Sequence, residues 1–525
     1  MKIYINRPWL GEEGGLVIET PAGGPLYQAV WLSGKVEPVP LCGGIGRCGR
    51  CRVRFLADCP EAGPEERQIL GDEAVRQGWR LACRCQVPDR DELHLELAKP
   101  DARRGAGRTM AAADIVPCVM AVDIGTTSVA WRMLAEGDGR VLAEGEDLNP
   151  QAGAGADVIS RIALALTPGG ADRLASLIRA YLADRCAPFG TAVRGVVAAA
   201  NTAMTEILAG TSVEGLAGAP YRLSLAGHET LDLPGLPPVY IPPLPAPFVG
   251  GDVTAGLLWL ERSGTPKPYL LADLGTNGEI ALVTGDGRLY LTSVPLGPSL
   301  EGIGLECGAL AGPDVLTQFS LGPMGLAGQT SAGRAPSPGT FAAGISATGY
   351  LSLIEVLLRN GIMDEEGHLP DIATPPAMMP LARKLAARVD RSWQVPRFMV
   401  SDSLWVSLRD IEEILKVKAA FGVAVQSVLE EAGLAPKDLA CLAIAGALGR
   451  YVRPQTLERL GFVPPGTAAR VRTVGNTSLE GACLLAASER DRETLAEFCS
   501  RAKLLQPALD PSFHARYLAA MRFAG

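Results

Sequence analysis

The segment Cys42-Gly-Gly-Ile-Gly-Arg-Cys48-Gly-Arg-Cys51 puts three thiols and four glycines within ten residues; Cys83 follows, and Cys59 and Cys85 complicate the choice of a fourth ligand. A thiolate cage needs sulfurs that converge on one point. It also needs a backbone free to wrap that point, which glycine supplies because it lacks a Cβ. Three clustered ligands with a distant fourth is the arrangement that holds a [2Fe–2S] centre. The spacing here is C-x5-C-x2-C rather than C-x4-C-x2-C. Zinc is the alternative, because Cys48-x2-Cys51 could form half of a zinc site. Cys83-Arg-Cys85 stands where a second C-x2-C would be expected, so Cys42 and the glycine density favour iron and sulfur. The chemistry this implies is single-electron transfer.

A second chemistry is written twice. Val122-Asp-Ile-Gly-Thr-Thr runs into an alternating strand and the turn Gly137-Asp-Gly-Arg140, while Ala272-Asp-Leu-Gly-Thr-Asn-Gly runs into another strand and the turn Gly285-Asp-Gly-Arg288. Asp123 matches Asp273, and Gly125 and Thr126 match Gly275 and Thr276. So long a match of turns and strands indicates duplication of one lobe. In such a loop glycine lets consecutive backbone N–H groups approach a phosphate, and threonine hydroxyls add donors. The aspartate at the strand end can hold Mg²⁺ through water or orient an attacking water. Two such loops facing one another would clamp a triphosphate between lobes. After an apolar strand, Gly446-Ala-Leu-Gly449 would give a flat ligand access to the backbone.

The elements that must position these residues are legible from periodicity. Ile3 and Ile5 alternate with polar neighbours, Tyr27 to Leu32 reads as a packing helix, Glu61 to Leu70 as a short helix with Pro64 in its first turn, and Leu93, Leu95 and Leu97 as a closing strand. Residues 99–117 lack periodicity and read as a linker. Arg409 to Ala432 has a helical apolar period with Gly433 as its stop, and Lys416 and Lys418 read as solvated charges on it. Gly475–Gly481 reads as a hinge or as a loop before a helix at Ala482–Ala487. Arg47 and Arg50 read as solvated loop charges.

With 525 residues, 47% of them apolar and 20% charged, the chain is globular and large enough for several domains. A net charge of −8 argues against a nucleic-acid partner. No apolar run of roughly 20 residues predicts a membrane helix, and no secretory signal is recognised. Cys118, Cys186, Cys307, Cys441, Cys483 and Cys499 read as isolated core thiols of a reduced, cytoplasmic protein. The four histidines, His94, His228, His368 and His514, are scattered and form no metal motif.

The N-terminal cysteine loop resembles that of adrenodoxin-like ferredoxins. Arg80-Leu-Ala-Cys83-Arg-Cys85-Gln is similar to the segment that carries their last ligand. The two aspartate loops resemble the phosphate motifs of the actin, sugar kinase and Hsp70 superfamily, and Gly446-Ala-Leu-Gly449 resembles its adenosine motif. The combination resembles the reductive activators of corrinoid enzymes. Asn149-Pro-Gln-x5-Ala156-Asp-Val-Ile-Ser-Arg161, Val249-Gly-Gly-Asp252 and Glu301-Gly-Ile-x4-Gly308 are similar to that family's signatures. The implied fold is α+β and α/β: a β-grasp ferredoxin domain at 1–98, a linker at 99–117, a first RNase H-like lobe at 118–245 and a second, C-terminal ATPase lobe at 246–525.

The implied ligands of the [2Fe–2S] cluster are Cys42, Cys48, Cys51 and Cys83, with Cys85 the alternative to Cys83. ATP with Mg²⁺ would meet Gly125, Thr126, Thr127, Gly275, Thr276, Asn277, Gly278, Gly446 and Gly449, with Asp123 and Asp273 catalytic. The implied reaction returns a cobalt(II) corrinoid methyl-carrier protein to cobalt(I), using an external low-potential electron donor, and a homodimer is one expectation. A plant-type centre near −400 mV is too weak to do this unaided. Each ~59 mV uphill costs tenfold in a one-electron equilibrium, which is where ATP would enter. The other readings are a nucleotide-sensing electron carrier that does not hydrolyse ATP, an activator of a different low-potential enzyme, and a kinase fused to a ferredoxin. No substrate pocket for a kinase is recognisable in the sequence.

Overall fold

A computed structural model describes residues 1–10, 15–46, 48–99, 108–109, 116–275, 277–333, 342–370, 380–449 and 452–524. They form two compact units, Met1–Leu225 with Glu229–Ile241, and Ala226–His228 with Pro242–Gly525.

The first unit begins with a five-stranded sheet built from β1 (Lys2–Asn6), β2 (Leu16–Glu19), β3 (Arg52–Phe55), β4 (Trp79–Leu81) and β5 (Glu92–Leu97), ordered β2-β1-β5-β3-β4. The alternation at Leu93, Leu95 and Leu97 buries one face of β5. Although last in the chain, β5 is central: it pairs parallel with β1 and antiparallel with β3. The helix Leu26–Trp31 packs Leu26, Val30 and Trp31 on the same core as Ile3, Ile5 and Val53. The second short helix runs Pro64–Leu70 with proline in its first turn, where a missing N–H costs nothing.

The unit continues with β6 (Arg108–Thr109), β7 (Cys118–Ile124), β8 (Ser128–Ala135), β9 (Val141–Leu148), β10 (Val193–Ala200), β11 (Glu229–Leu231) and β12 (Val239–Ile241). Their order is β11-β12-β10-β7-β8-β9-β6. Within the stretch expected to be a linker, Arg108–Thr109 extends this sheet by pairing with β9; most of the rest of that stretch lies outside the described residues.

The second unit repeats the plan. β13 (Tyr269–Leu274), β14 (Asn277–Val283) and β15 (Leu289–Pro295) form the antiparallel meander. A three-stranded sheet of β16 (Val315–Gly322), β17 (Gly325–Thr330) and β18 (Gly344–Ile345) follows, then another of β19 (Val389–Asp390), β20 (Arg397–Met399) and β21 (Trp405–Ser407). β22 (Cys441–Ala445), β23 (Val471–Gly475) and β24 (Lys503–Leu504) complete the main sheet in the order β23-β22-β13-β14-β15-β24. Both large sheets therefore set a meander of three strands beside two parallel ones, β10 and β12 in the first, β22 and β23 in the second. The duplication read from the two aspartate loops is a duplication of sheet topology. Leu270, Ala272 and Leu274 of β13 enter one apolar core and Tyr269 and Leu271 enter another, so the strand is buried on both faces.

Ser407 and Asp410 form a capping box that starts the helix Leu408–Ala432, and Gly433 ends it with φ +68°. Lys418 is not solvated: it is buried and donates to the carbonyls of Ala520 and Arg522, while Lys416 pairs with Glu412 and Glu413. The helix after β23 runs Thr477–Ala487. Gly481 lies inside it, neither hinge nor loop, because a Cβ there would fall 1.9 Å from the Ala255 carbonyl oxygen of the helix Gly251–Arg262. Close helix packing is what that glycine serves.

Candidate functional site

The cysteine loop connects the helix Leu26–Trp31 to β3. Gly43, Gly44, Gly46 and Gly49 all take positive φ, which lets the chain fold back on itself in so short a span. Four sulfurs come together in two pairs. The Cys42 and Cys48 thiols hydrogen-bond each other, and so do those of Cys51 and Cys83. The pairs are close enough for Cys48 to act on Cys51 and Cys42 on Cys83. The bond to Cys42 and then burial push Cys48 up, and the bond to Cys83 and then burial push Cys51 up. Cys83, the acceptor, is held below its ordinary value first by Cys51, with Arg84 adding to the effect.

Cys85 stands apart. Burial, then the charges of Glu66 and Cys83, push it up to about 12. Among the described residues no group of three or more His, Cys, Asp or Glu is placed to hold a metal ion. Arg84 was not singled out by the sequence: it donates to the Ile45 carbonyl of the cysteine loop at 3.2 Å and pairs with Glu65 of the helix Pro64–Leu70 at 2.7 Å. Arg47 lies outside the described residues, and Arg50 is half-buried.

The first aspartate loop, Asp123–Thr127, leaves the end of β7 in the first unit. Asp123 lies opposite Ala130 of β8 and Ala199 of β10. Thr126 and Thr127 are buried, and the Thr127 hydroxyl has no hydrogen-bond partner among the described residues. An orphaned buried hydroxyl is costly, and a phosphate oxygen would satisfy it. The loop is held from behind. Asn149 Nδ2 donates to the Gly125 carbonyl at 2.7 Å, the Asn149 N–H donates to the Thr127 carbonyl at 2.9 Å, and Arg161 donates to the Thr126 carbonyl. Asn201, which caps the helix Thr202–Ala209, donates to the Thr126 hydroxyl at 3.3 Å.

The second loop follows β13 in the other unit. Asp273 lies opposite Glu279 of β14 and beside Ala445 of β22. Glu279 is buried, and burial first, then the charges of Asp252 and Asp273, raise its carboxyl well above the usual range. Asp252 opens the helix Gly251–Arg262. Three carboxyl groups thus gather at this loop, two of which, Asp252 and Glu279, had no assigned role in the sequence reading. Gly275 donates to the Asn277 carbonyl at 3.1 Å, Gly278 lies in β14, and Thr276 falls outside the described residues. Gly446 and Gly449 bound a single helical turn after β22. A Cβ on Gly446, whose φ is +81°, would lie 2.8 Å from Asp273 Oδ1. This glycine lets the strand end pass close to the aspartate.

Comparison with known proteins places these features. Residues 118–262 match the profile described as the RACo middle region, and residues 267–525 match the C-terminal domain of RACo, the ASKHA domain. The chain is 28% identical over 422 residues to the corrinoid activation enzyme RamQ of Eubacterium limosum, covering 76% of this chain and 69% of that one. It is 26% identical over 305 residues to the [Co(II) methylated amine-specific corrinoid protein] reductase of Methanosarcina barkeri, covering 54% of this chain and about half, 51%, of that protein. A solved structure, the reductive activator for corrinoid, iron-sulfur protein, superposes with a TM-score of 0.67 at 21% identity, covering 99% of this chain and 98% of that one.

The chain belongs to the RACo family of reductive corrinoid activators.

Within that family's fold, the cysteine loop and the first aspartate loop lie in one unit and the carboxylate-rich loop in the other. No described helix is long and apolar enough to cross a membrane. The residues that sequence reading left without a role, Arg84, Asn149, Arg161, Asp252 and Glu279, act through contacts with segments far away in the chain. Their only signal in sequence was the resemblance of Asn149–Arg161 and Val249–Asp252 to family signatures.

Proposed function

We propose that this protein is an ATP-dependent reductive activator that returns a cobalt(II) corrinoid protein to cobalt(I). The observation that carries the reading is the gathering of Cys42, Cys48, Cys51 and Cys83 in two pairs on a chain that also carries two Asp-x-Gly-Thr loops. When bound by these four thiolates, a [2Fe–2S] centre would supply one electron at low potential. Cys85 is left out because, among the described residues, burial and nearby charges act on it but no bond to another of these thiols does. Arg84 favours the thiolate of Cys83.

The Thr127 hydroxyl and the loop N–H groups would bind phosphate. Asp123 and Asp273 would act at the cation or orient water, and Asn277, Gly278, Gly446 and Gly449 would line the nucleotide. Burial first, then the charges of Asp252 and Asp273, favour the protonated form of Glu279, which lowers the repulsion among these carboxyl groups. The RamQ and methylamine corrinoid reductase names support a corrinoid protein as the partner. The electron donor would be a separate low-potential carrier.

The test uses the anaerobically purified chain, a cobalt(II) corrinoid protein and a reductant, with the corrinoid absorbance followed with and without Mg·ATP. We expect two irons and two acid-labile sulfides per chain and cobalt(I) formation that depends on ATP. Asp123→Ala should keep the iron and the visible spectrum but lose the ATP effect. Zinc in place of iron, or equal reduction without ATP, overturns the reading.

A further inference from the structure

One segment of the first unit, residues 149–161, touches both the phosphate loop and the cysteine loop. Its two ends hold the phosphate loop through the Asn149 bonds to Gly125 and Thr127 and the Arg161 bond to Thr126. Its middle holds the residue that precedes Cys42. The Leu41 N–H donates to the Ala152 carbonyl at 3.3 Å, and the Ala156 N–H donates to the Leu41 carbonyl at 2.7 Å.

The cysteine loop is also pressed against this segment. A Cβ on Gly43 would fall 2.5 Å from Ser160 Oγ, and one on Gly155 would fall 2.3 Å from Ser160 Cβ. Arg161 closes the path: its Nε donates to the Gly155 carbonyl at 3.2 Å and its Nη1 to Gln151 Oε1 at 3.1 Å. Asn149, Gln151 and Arg161 are all 0% exposed.

We propose that segment 149–161 couples occupancy of the phosphate loop to the reduction state of the cysteine cage, with Arg161 as the positioning residue. The coupling follows from the planarity of one peptide. The Thr126 carbonyl and the Thr127 N–H share a rigid unit, so turning that N–H toward a phosphate must move the carbonyl that Arg161 holds. Arg161 in turn holds Gly155, and Gly155 and Ser160 abut Gly43. A shift there moves the backbone beside Cys42, and hydrogen bonding around the sulfurs sets the potential of an iron–sulfur centre. Linkage is reciprocal, so reduction of the cage must change nucleotide affinity by the same factor.

This inference rests on the proposed cluster and nucleotide, and the test separates the two. Mg·ADP affinity is measured on the oxidised and the dithionite-reduced full-length chain, and the midpoint potential is measured with and without saturating Mg·ADP. For wild type we expect affinities that differ at least threefold, matched by a shift of about 28 mV in a one-electron midpoint. Arg161→Gln should retain iron and bind Mg·ADP but bring the two affinities together, and Arg161→Lys, which can still donate to Thr126, should restore part of the difference. If Arg161→Gln does not fold, Ser160→Leu, which wedges against Gly43 without touching Thr126, should give the same loss. Equal affinities in wild type that binds both cluster and nucleotide, or a full shift retained in the variants, overturns the coupling alone. A wild-type chain without iron, or without nucleotide binding, overturns the proposed function and takes the coupling with it.

Discussion

At the scale of single residues, the two candidate centres make opposite demands on a substitution. Cys83 and Cys85 are two residues apart, yet only Cys83 is bonded to another loop thiol. Cys83→Ser should therefore cut iron content by about tenfold or more, in line with the loss of a metal-site partner, while Cys85→Ser should leave iron and visible absorbance unchanged. Iron analysis decides, and the reverse result would exchange the ligands. Thr127 offers a cleaner separation of stability from binding, because its buried hydroxyl has no partner among the described residues. Thr127→Val removes an unsatisfied group and should leave the melting temperature equal or higher. If that hydroxyl serves phosphate, the same change should weaken Mg·ADP binding by about tenfold. Unchanged nucleotide affinity in a well-folded Thr127→Val would remove the hydroxyl from the site.

At the scale of elements, what the sequence made legible was local. The capping box and Gly433 stop of the helix Leu408–Ala432, the proline at the start of Pro64–Leu70 and the alternation in β5 all rest on near neighbours in the chain. The central place of β5, the burial of Lys418 and the helix contact at Gly481 depend on partners far along the sequence, where spacing rules do not reach. Two glycines in helices make the point measurable. Gly422 has open space around a Cβ, so Gly422→Ala should stabilise by about 0.5–1 kcal/mol. Gly481→Ala drives a methyl into the Ala255 carbonyl and should destabilise by about 1–3 kcal/mol. Denaturant midpoints test both, and a stabilised Gly481→Ala would show that the two helices do not pack this closely.

Asp410 adds a pH dependence to the same helix. Its carboxylate accepts from the N–H groups of Glu306 at 2.8 Å and Ser407 at 3.0 Å, yet burial outweighs them and raises it from 3.8 to about 6. A carboxyl raised on folding contributes most below its unfolded value, and that contribution is lost as pH climbs through the folded one. The stability difference between wild type and Asp410→Asn should therefore move against wild type by about 2 kcal/mol between pH 4 and pH 7. A difference that stays flat across that range would mean the carboxyl is not buried as described.

At the scale of the molecule, one strand plan occurs twice, but the two copies have taken on different electrostatics. Across from Asp123 stands Ala130, and behind its loop a buried guanidinium, Arg161, donates to the loop backbone. Across from Asp273 stands Glu279, with Asp252 near enough to raise it. The first loop, with an orphan hydroxyl and a cation at its back, suits an anion. The second gathers the carboxyl groups of Asp252, Asp273 and Glu279; among the described residues these are not placed to ligate a metal directly, so a divalent cation would be held there through water. This division was not legible in the motifs, which are nearly the same in both copies: Arg161 and Asp252 lie outside them, and Glu279 gains its meaning only from its strand partner. It predicts unequal roles for two aspartates that the sequence treats as equivalent. Asp273→Asn should raise the Mg²⁺ concentration needed for half-maximal ATP hydrolysis by about tenfold, in the range expected when a metal-site group is lost. Asp123→Asn should lower the rate with a smaller change in Mg²⁺ requirement. Magnesium titrations of the two variants at fixed ATP decide between them; equal shifts would show that the copies share the cation and that the asymmetry of charge does not sort their roles.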